Sequence, residues 1–166
     1  MNKLCYIPGD LVMTNGVPLG TAKDVVYRVT SSDPSKTLKL DDGTVLKGVV
    51  CLENIEGAEF GEKGYLLGDS CAWVKDIVPI HLTPEILEKN GWKRNGGQYS
   101  FTFKPYVGDK VEYIGFFIEM FKNVHDMLKY EYFQIFLESK NIYGCFYVHQ
   151  LQHHLFGLAL NSEMEV

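Results

Sequence analysis

The chain has no basic run able to neutralise a row of phosphates. Its formal net charge is −5. It carries 8 basic and 11 acidic side chains up to Ile80, and 8 and 10 from His81 onward, so the halves stand at −3 and −2. Non-specific affinity for nucleic acid comes chiefly from phosphate neutralisation, so this balance argues against such a partner. Cysteine is scarce as well. Cys5, Cys51, Cys71 and Cys145 are widely spaced and form no CxxC pair. In a chain long enough to bury a core, scattered cysteines are expected as small buried hydrophobes and free thiols. No apolar run approaches the ~20 residues that cross a bilayer. The start, Met1-Asn2-Lys3-Leu4-Cys5-Tyr6-Ile7-Pro8, lacks a signal-peptide apolar stretch. The expectation is a cytoplasmic protein without membrane association, in a reducing compartment. P-loop, dinucleotide fingerprint, HExxH and EF-hand patterns are absent, so no cofactor is expected.

What is abundant is aromatic surface. Ten Tyr and ten Phe bring aromatics to 13% of 166 residues. Such side chains favour pleated surfaces, which predicts a sheet-rich α+β chain with few long helices. Residues 1–80 read as an all-β unit. Leu11-Val12-Met13, Val25 to Val29 (stopped by Ser31-Ser32-Asp33-Pro34), Thr37 to Leu40, Thr44 to Leu46, Val49 to Leu52, Tyr65 to Leu67 and Trp73 to Val78 are short strands. Asp41-Asp42-Gly43 makes the clearest hairpin turn, with Leu38, Leu40 and Leu46 on one buried face by alternation. The spacing suits a small antiparallel β-barrel or rolled sheet of the SH3-like kind.

Residues 81–166 read as an α-β-β-β-β-α unit on an antiparallel sheet. Thr83-Pro84-Glu85 starts a short helix and Asn90-Gly91 ends it. Strands follow at Gln98 to Phe103, Val111 to Ile118, Tyr130 to Leu137 and Ile142 to Val148. Phe121 to Lys129 fits either a helical excursion or a loop. A closing helix runs from about His149 to Leu160. Val148, Leu151, Leu155, Leu158 and Ala159 form its apolar stripe.

Four constellations invite chemistry. His149 and His153, at i and i+4 on a flank outside that stripe, have the spacing of a metal-chelating pair. No acidic residue stands beside them, so the preferred reading is local hydrogen bonding at the strand–helix junction. Cys145 with His149 is a conceivable thiol–imidazole pair for a cysteine–histidine hydrolase, although no orienting acid is visible. Gly68-Asp69-Ser70-Cys71-Ala72-Trp73 is superficially like two nucleophile motifs. Ala72 separates the cysteine from its aromatic, and the chain contains no Asp-x-x-His, so a polar turn before a strand is preferred. Tyr99, Tyr113, Tyr130 and Tyr132 would make an interaction surface for a protein partner if they shared an exposed face. The preferred alternative packs them between sheet and helices.

Two stretches carry a resemblance. Pro79-Ile80-His81-Leu82-Thr83-Pro84-Glu85-Ile86-Leu87-Glu88-Lys89-Asn90-Gly91-Trp92 resembles a "PIPLTPEILEKNGF" segment, with His81 in place of a Pro. Tyr147-Val148-His149-Gln150-Leu151-Gln152 resembles a closing "YVHQLQ". Both belong to a group of small proteins of Bacteroidetes genomes and their phages or prophages, and the resemblance covers about half the chain. The group has no assigned activity and passes no catalytic role to any residue here. It implies a bacterial or phage accessory protein. The functional expectation is a non-enzymatic protein-interaction module, binding a protein partner or itself. The alternatives are a small-barrel nucleic-acid-binding protein and a cysteine–histidine hydrolase.

Overall fold

The computed structural model describes residues 6–16, 23, 25–55, 70–95, 98–103, 106–107, 110–111, 114–121, 132–137 and 140–166, with side chains described over 6–16, 23, 25–55, 71–94 and 144–166. The chain divides into two compact units: Met1–Ile80 with Leu160–Ser162, and His81–Ala159 with Glu163–Val166. The class is α+β, with antiparallel sheets and, among the described residues, two short α-helices.

The first unit is built from β1 (Leu11–Thr14), β2 (Tyr27–Lys39), β3 (Val45–Asn54), β4 (Ser70–Trp73), a 3-10 helix (Val74–Asp76) and β5 (Ile77–Pro79). They form one antiparallel sheet in the order β4-β3-β2-β1-β5. This sheet is open, not the closed barrel that the turn spacing allowed. Closure would need its two edges to pair, and β4 and β5 span only 4 and 3 residues. The sequence from Trp73 to Val78 is not one strand either, because the 3-10 turn interrupts it. Tyr65 to Leu67 lies outside the described residues.

Alternation sets the core. Along β3, Leu46, Gly48, Val50 and Leu52 are buried while Lys47 and Glu53 are exposed. Val50 and Leu52 join Tyr6, Val12, Tyr27, Val29, Ala72 and Ile77 in one apolar cluster, with Val25 and Val74 against it. Two buried carboxylates brace its margin. The Ile7 N–H donates to Asp10 Oδ2 at 2.9 Å. Asp76 Oδ1 accepts from Asn15 Nδ2 at 2.8 Å, tying the 3-10 turn to the end of β1.

Ser31-Ser32-Asp33-Pro34 does not stop β2. The strand runs through it for 13 residues. Register shifts between Val29 and Ser31 and between Asp33 and Thr37 absorb the misfit. Proline removes a ladder donor, so it is tolerated where the ladder is interrupted. The side chain of Asp33 accepts from the Ser35 N–H and hydroxyl there, at 2.9 and 2.6 Å.

The second unit contains α1 (Pro84–Lys89), β6 (Lys93–Asn95), β7 (Gln98–Phe103), β8 (Tyr106–Val107), β9 (Lys110–Val111), β10 (Ile114–Phe121), β11 (Tyr132–Leu137), β12 (Lys140–Cys145) and α2 (Val148–Gly157). Its sheet has the order β12-β11-β10-β7-β6, with β8 and β9 as a separate ribbon. The short strands β6 and β8 have no counterpart among the four expected strands, and the strand expected from Val111 to Ile118 overlaps both β9 and β10. Residues 122–129 lie outside the described ones.

α1 begins as its sequence dictates. Thr83 Oγ1 accepts from the Ile86 N–H at 3.3 Å, and Pro84 opens the first turn. Gly91 ends it at φ +81°. Asn90 then clamps the C-terminal residues. Its Nδ2 donates to the Ile86 and Glu165 carbonyls, both at 2.7 Å, and its Oδ1 accepts from the Glu165 N–H at 2.8 Å.

Candidate functional site

Two places compete as the functional site, one in each unit. The first is the strand–helix junction of the second unit, where the chain carries its histidines. Gln150 holds the start of α2 by accepting from the Phe146 and Tyr147 N–H groups at 2.8 and 3.2 Å. His81 pairs with Tyr147 across an isolated antiparallel bridge. The rings then form a chain: His81 to Tyr147 at 4.9 Å, Tyr147 stacked on His149 at 5.7 Å, and His149 edge-on to His153 at 5.8 Å. His149 and His153 thus share a flank of the helix, and at His149 that flank is covered. His149 is buried at 2% exposure, alongside Val148, Leu151, Gln152 and Leu155. Aromatic packing of this kind is a sufficient reason for an apolar-edged ring in a core.

Leu158 and Ala159 leave the expected stripe, because α2 ends at Gly157. Leu158 is exposed, and Ala159 takes φ +56°.

Cys145, at the end of β12, is fully buried, and burial pushes its thiol up to about 12. At neutral pH the group is a protonated thiol, whereas nucleophilic catalysis needs the thiolate. Burial also holds the His81 imidazole below its ordinary value. It does the same to His154, helped by the neighbouring His153. These are neutral rings in a packed junction. Among the described residues no group of three or more His, Cys, Asp and Glu side chains converges to hold a metal ion. A protein zinc site needs three or four ligands.

The tyrosines divide differently. Tyr113 and Tyr130 lie outside the described residues. Tyr99 stands on β7 opposite Ile118, and Tyr132 on β11 opposite Phe121. The two partners are an odd number of steps apart on β10, so the positions alternate to opposite faces of the sheet.

The second place is the β2–β3 hairpin of the first unit. Its turn is built as the sequence predicts: Gly43 at φ +85°, Leu40 N–H to Thr44 carbonyl at 2.8 Å, Thr44 N–H to Asp42 Oδ1 at 2.8 Å. Its apolar face is not buried as expected. Only Leu46 is covered. Leu38 is 47% exposed and Leu40 38%; Val45, opposite Lys39 on the other face of the ribbon, is 49% exposed. The reason lies in the sheet: among the described residues, β1 and the two residues before it pair with β2 only from Tyr27 to Val29, and β4 reaches β3 only from Val49 to Leu52. From Thr37 to Lys47 the two strands pair with each other and, among the described residues, with no third strand. Every residue from Thr30 to Val45 is exposed. Lys36, Lys39 and Lys47 are matched by Asp33, Asp41 and Asp42, so this arm carries no net charge. Hydrogen bonds from Ser35 and Thr44 hold Asp33 and Asp42 below the usual carboxylate range. Sequence alternation marked these leucines as one face. The signal for their exposure was the length of the β2 run against its short neighbours.

No family model matches the chain, no curated protein matches it, and no solved structure matches it. Among the described residues no helix is long and apolar enough to cross a membrane.

Proposed function

We propose that this protein is a non-enzymatic interaction module whose contact element is the β2–β3 hairpin. The observation that carries the reading is the pair Leu38 and Leu40, held in the open on one face of a paired, charge-balanced ribbon. Apolar side chains cost free energy in water, about 25 cal/mol for each Å² that a partner would cover. A folded ribbon that presents them in fixed register loses little entropy on docking. The occupant we favour is the apolar groove of a second protein. Strand addition is disfavoured, because Pro34 and the β2 register shifts interrupt one edge of the ribbon.

In this reading the first sheet is an SH3-like unit. Its strand order supports that, with β5 returning antiparallel to β1 after a single 3-10 turn. The setting we infer is cytoplasmic, in a bacterium of the Bacteroidetes or its phage, following the "LTPEILEKNG" and "YVHQLQ" resemblance. The nucleic-acid alternative is disfavoured by the balanced charge of the hairpin. The hydrolase alternative is disfavoured by the protonated, buried thiol of Cys145.

The test compares wild type with a Leu38→Ser, Leu40→Ser variant. Both should fold alike, because the two positions are exposed. Tagged wild type expressed in the native host should retain a defined protein in stoichiometric amount, and the variant should lose it. Light scattering after size exclusion separates a heterologous partner from self-association. Equal recovery by both proteins, with both monomeric, would overturn the reading.

A further inference from the structure

Cys51 and Cys71 stand directly opposite each other on the antiparallel pair β3–β4. Their Sγ atoms are 2.6 Å apart, about 0.6 Å longer than a disulfide bond. Both residues are unbridged thiols. Directly opposed residues in an antiparallel pair have Cα atoms about 4.5–5.5 Å apart, inside the span a disulfide takes. Forming the bond therefore needs no rearrangement of the strands.

The pair is also reachable. Val50 and Ala72, the neighbouring opposed pair, are buried, whereas Cys71 is exposed and Cys51 half-buried. Wide sequence spacing suggested four isolated, buried cysteines. Strand pairing instead brings two of them together on the outer face of the sheet. Cys145 is of the expected buried kind, and Cys5 lies outside the described residues. Two sulfurs alone do not make a zinc site, which needs three or four ligands, and no third ligand of the usual kinds joins them among the described residues.

We propose that Cys51 and Cys71 form a reversible thiol–disulfide site that reacts with small disulfides of the glutathione type. The Cys71 thiolate, as the more exposed, attacks one sulfur of the disulfide and expels the first thiolate. The product is a mixed disulfide on Cys71. The Cys51 thiolate then attacks Cys71 Sγ, forms the Cys51–Cys71 bond and expels the second thiolate. Two protons and two electrons leave the protein, and one small disulfide becomes two thiols. The bond joins the short edge strand β4 to its neighbour β3. This site is independent of the proposed hairpin contact.

The experiment incubates the folded, fully reduced protein with oxidised glutathione, quenches it with acid and maps the peptides by mass spectrometry. The expected product is a single Cys51–Cys71 link, with the mass of two hydrogens lost. Cys145 should stay unmodified. Closure should be at least about tenfold faster in the folded protein than in urea, because the fold pre-aligns the sulfurs. Cys51→Ser should stop the reaction at a stable glutathione adduct on Cys71, and Cys71→Ser should leave no Cys51 link. A Cys51–Cys71 pair still reduced when all exposed thiols have reacted would overturn the proposal. So would closure no faster than in urea, or a link made preferentially to Cys5 or between chains. The wild-type peptide map decides the question even if a variant fails to fold.

Discussion

Replacing Gly48 with alanine isolates what holds the first sheet to its 3-10 turn. Gly48 is buried in β3 at φ +72°, and a Cβ built there would lie 2.8 Å from Val74 Cγ2. Two costs follow. The left-handed backbone disfavours a side chain by about 1–2 kcal/mol. The contact is far inside the ~3.5–4.0 Å at which carbons rest. Val74 is β-branched and stiff at χ1, so relieving it forces an off-rotamer or backbone shift of about 0.5–1.5 kcal/mol. The unfolded chain loses entropy on gaining a Cβ, which returns about 0.4–1 kcal/mol. The net expectation is a loss of roughly 1–3 kcal/mol. Gly43 supplies the control. It has φ +85° and nothing within 4 Å of its Cβ position. Gly43→Ala should therefore show only the backbone part, about 1 kcal/mol or less. Urea unfolding of the two variants, and of Gly48→Ala combined with Val74→Ala, measures the difference. The double variant should recover about 0.5–1.5 kcal/mol against additivity. If Gly48→Ala costs no more than Gly43→Ala, or the double variant is simply additive, the steric reasoning is refuted.

Leu155 is buried in α2, so Leu155→Ala should cost about 2–5 kcal/mol in urea unfolding. His149→Ala removes a buried ring stacked on Tyr147 and edge-on to His153 and should cost about 2–4 kcal/mol, with no shift of melting temperature on adding a chelator; a chelator effect would instead point to a bound metal. Burial holds His81 and His154 below the ordinary imidazole value, so the unfolded chain takes up protons at these rings before the folded one does. Their contribution to stability is complete above the unfolded pKa near 6.5 and is lost as pH falls from there through the lower folded values. The urea midpoint should accordingly drop between about pH 7 and pH 5, and less steeply in a His81→Asn, His154→Asn variant; an unchanged slope would contradict the burial argument.

Local signals were read correctly from sequence where one turn decides the outcome. Thr83-Pro84 and Asn90-Gly91 delimit α1 because capping is satisfied by neighbours in the chain. Asp42-Gly43 makes its hairpin for the same reason. What depends on partners distant in sequence was not legible. Asp33-Pro34 carries every mark of a strand end, yet β3 is long enough to keep pairing beyond it. Leu38 and Leu40 alternate like core residues, but whether a face is buried depends on how far β1 and β4 extend. The Cys51–Cys71 contact follows from a register between residues twenty positions apart, which local sequence does not encode. His149 shares a flank with His153 as the spacing predicts, but its burial against the Tyr147 and His153 rings is not something hydrophobic periodicity signals.

The account's central claim is that the hairpin is where a partner docks. Site-specific photo-cross-linking in the native host tests it most directly, with a photoreactive residue in place of Leu38 and, as control, in place of exposed Lys75. The account predicts a discrete protein adduct from position 38 that is absent from position 75 and is suppressed by Leu40→Ser. Adducts of equal yield from both positions, or none from position 38, would contradict it.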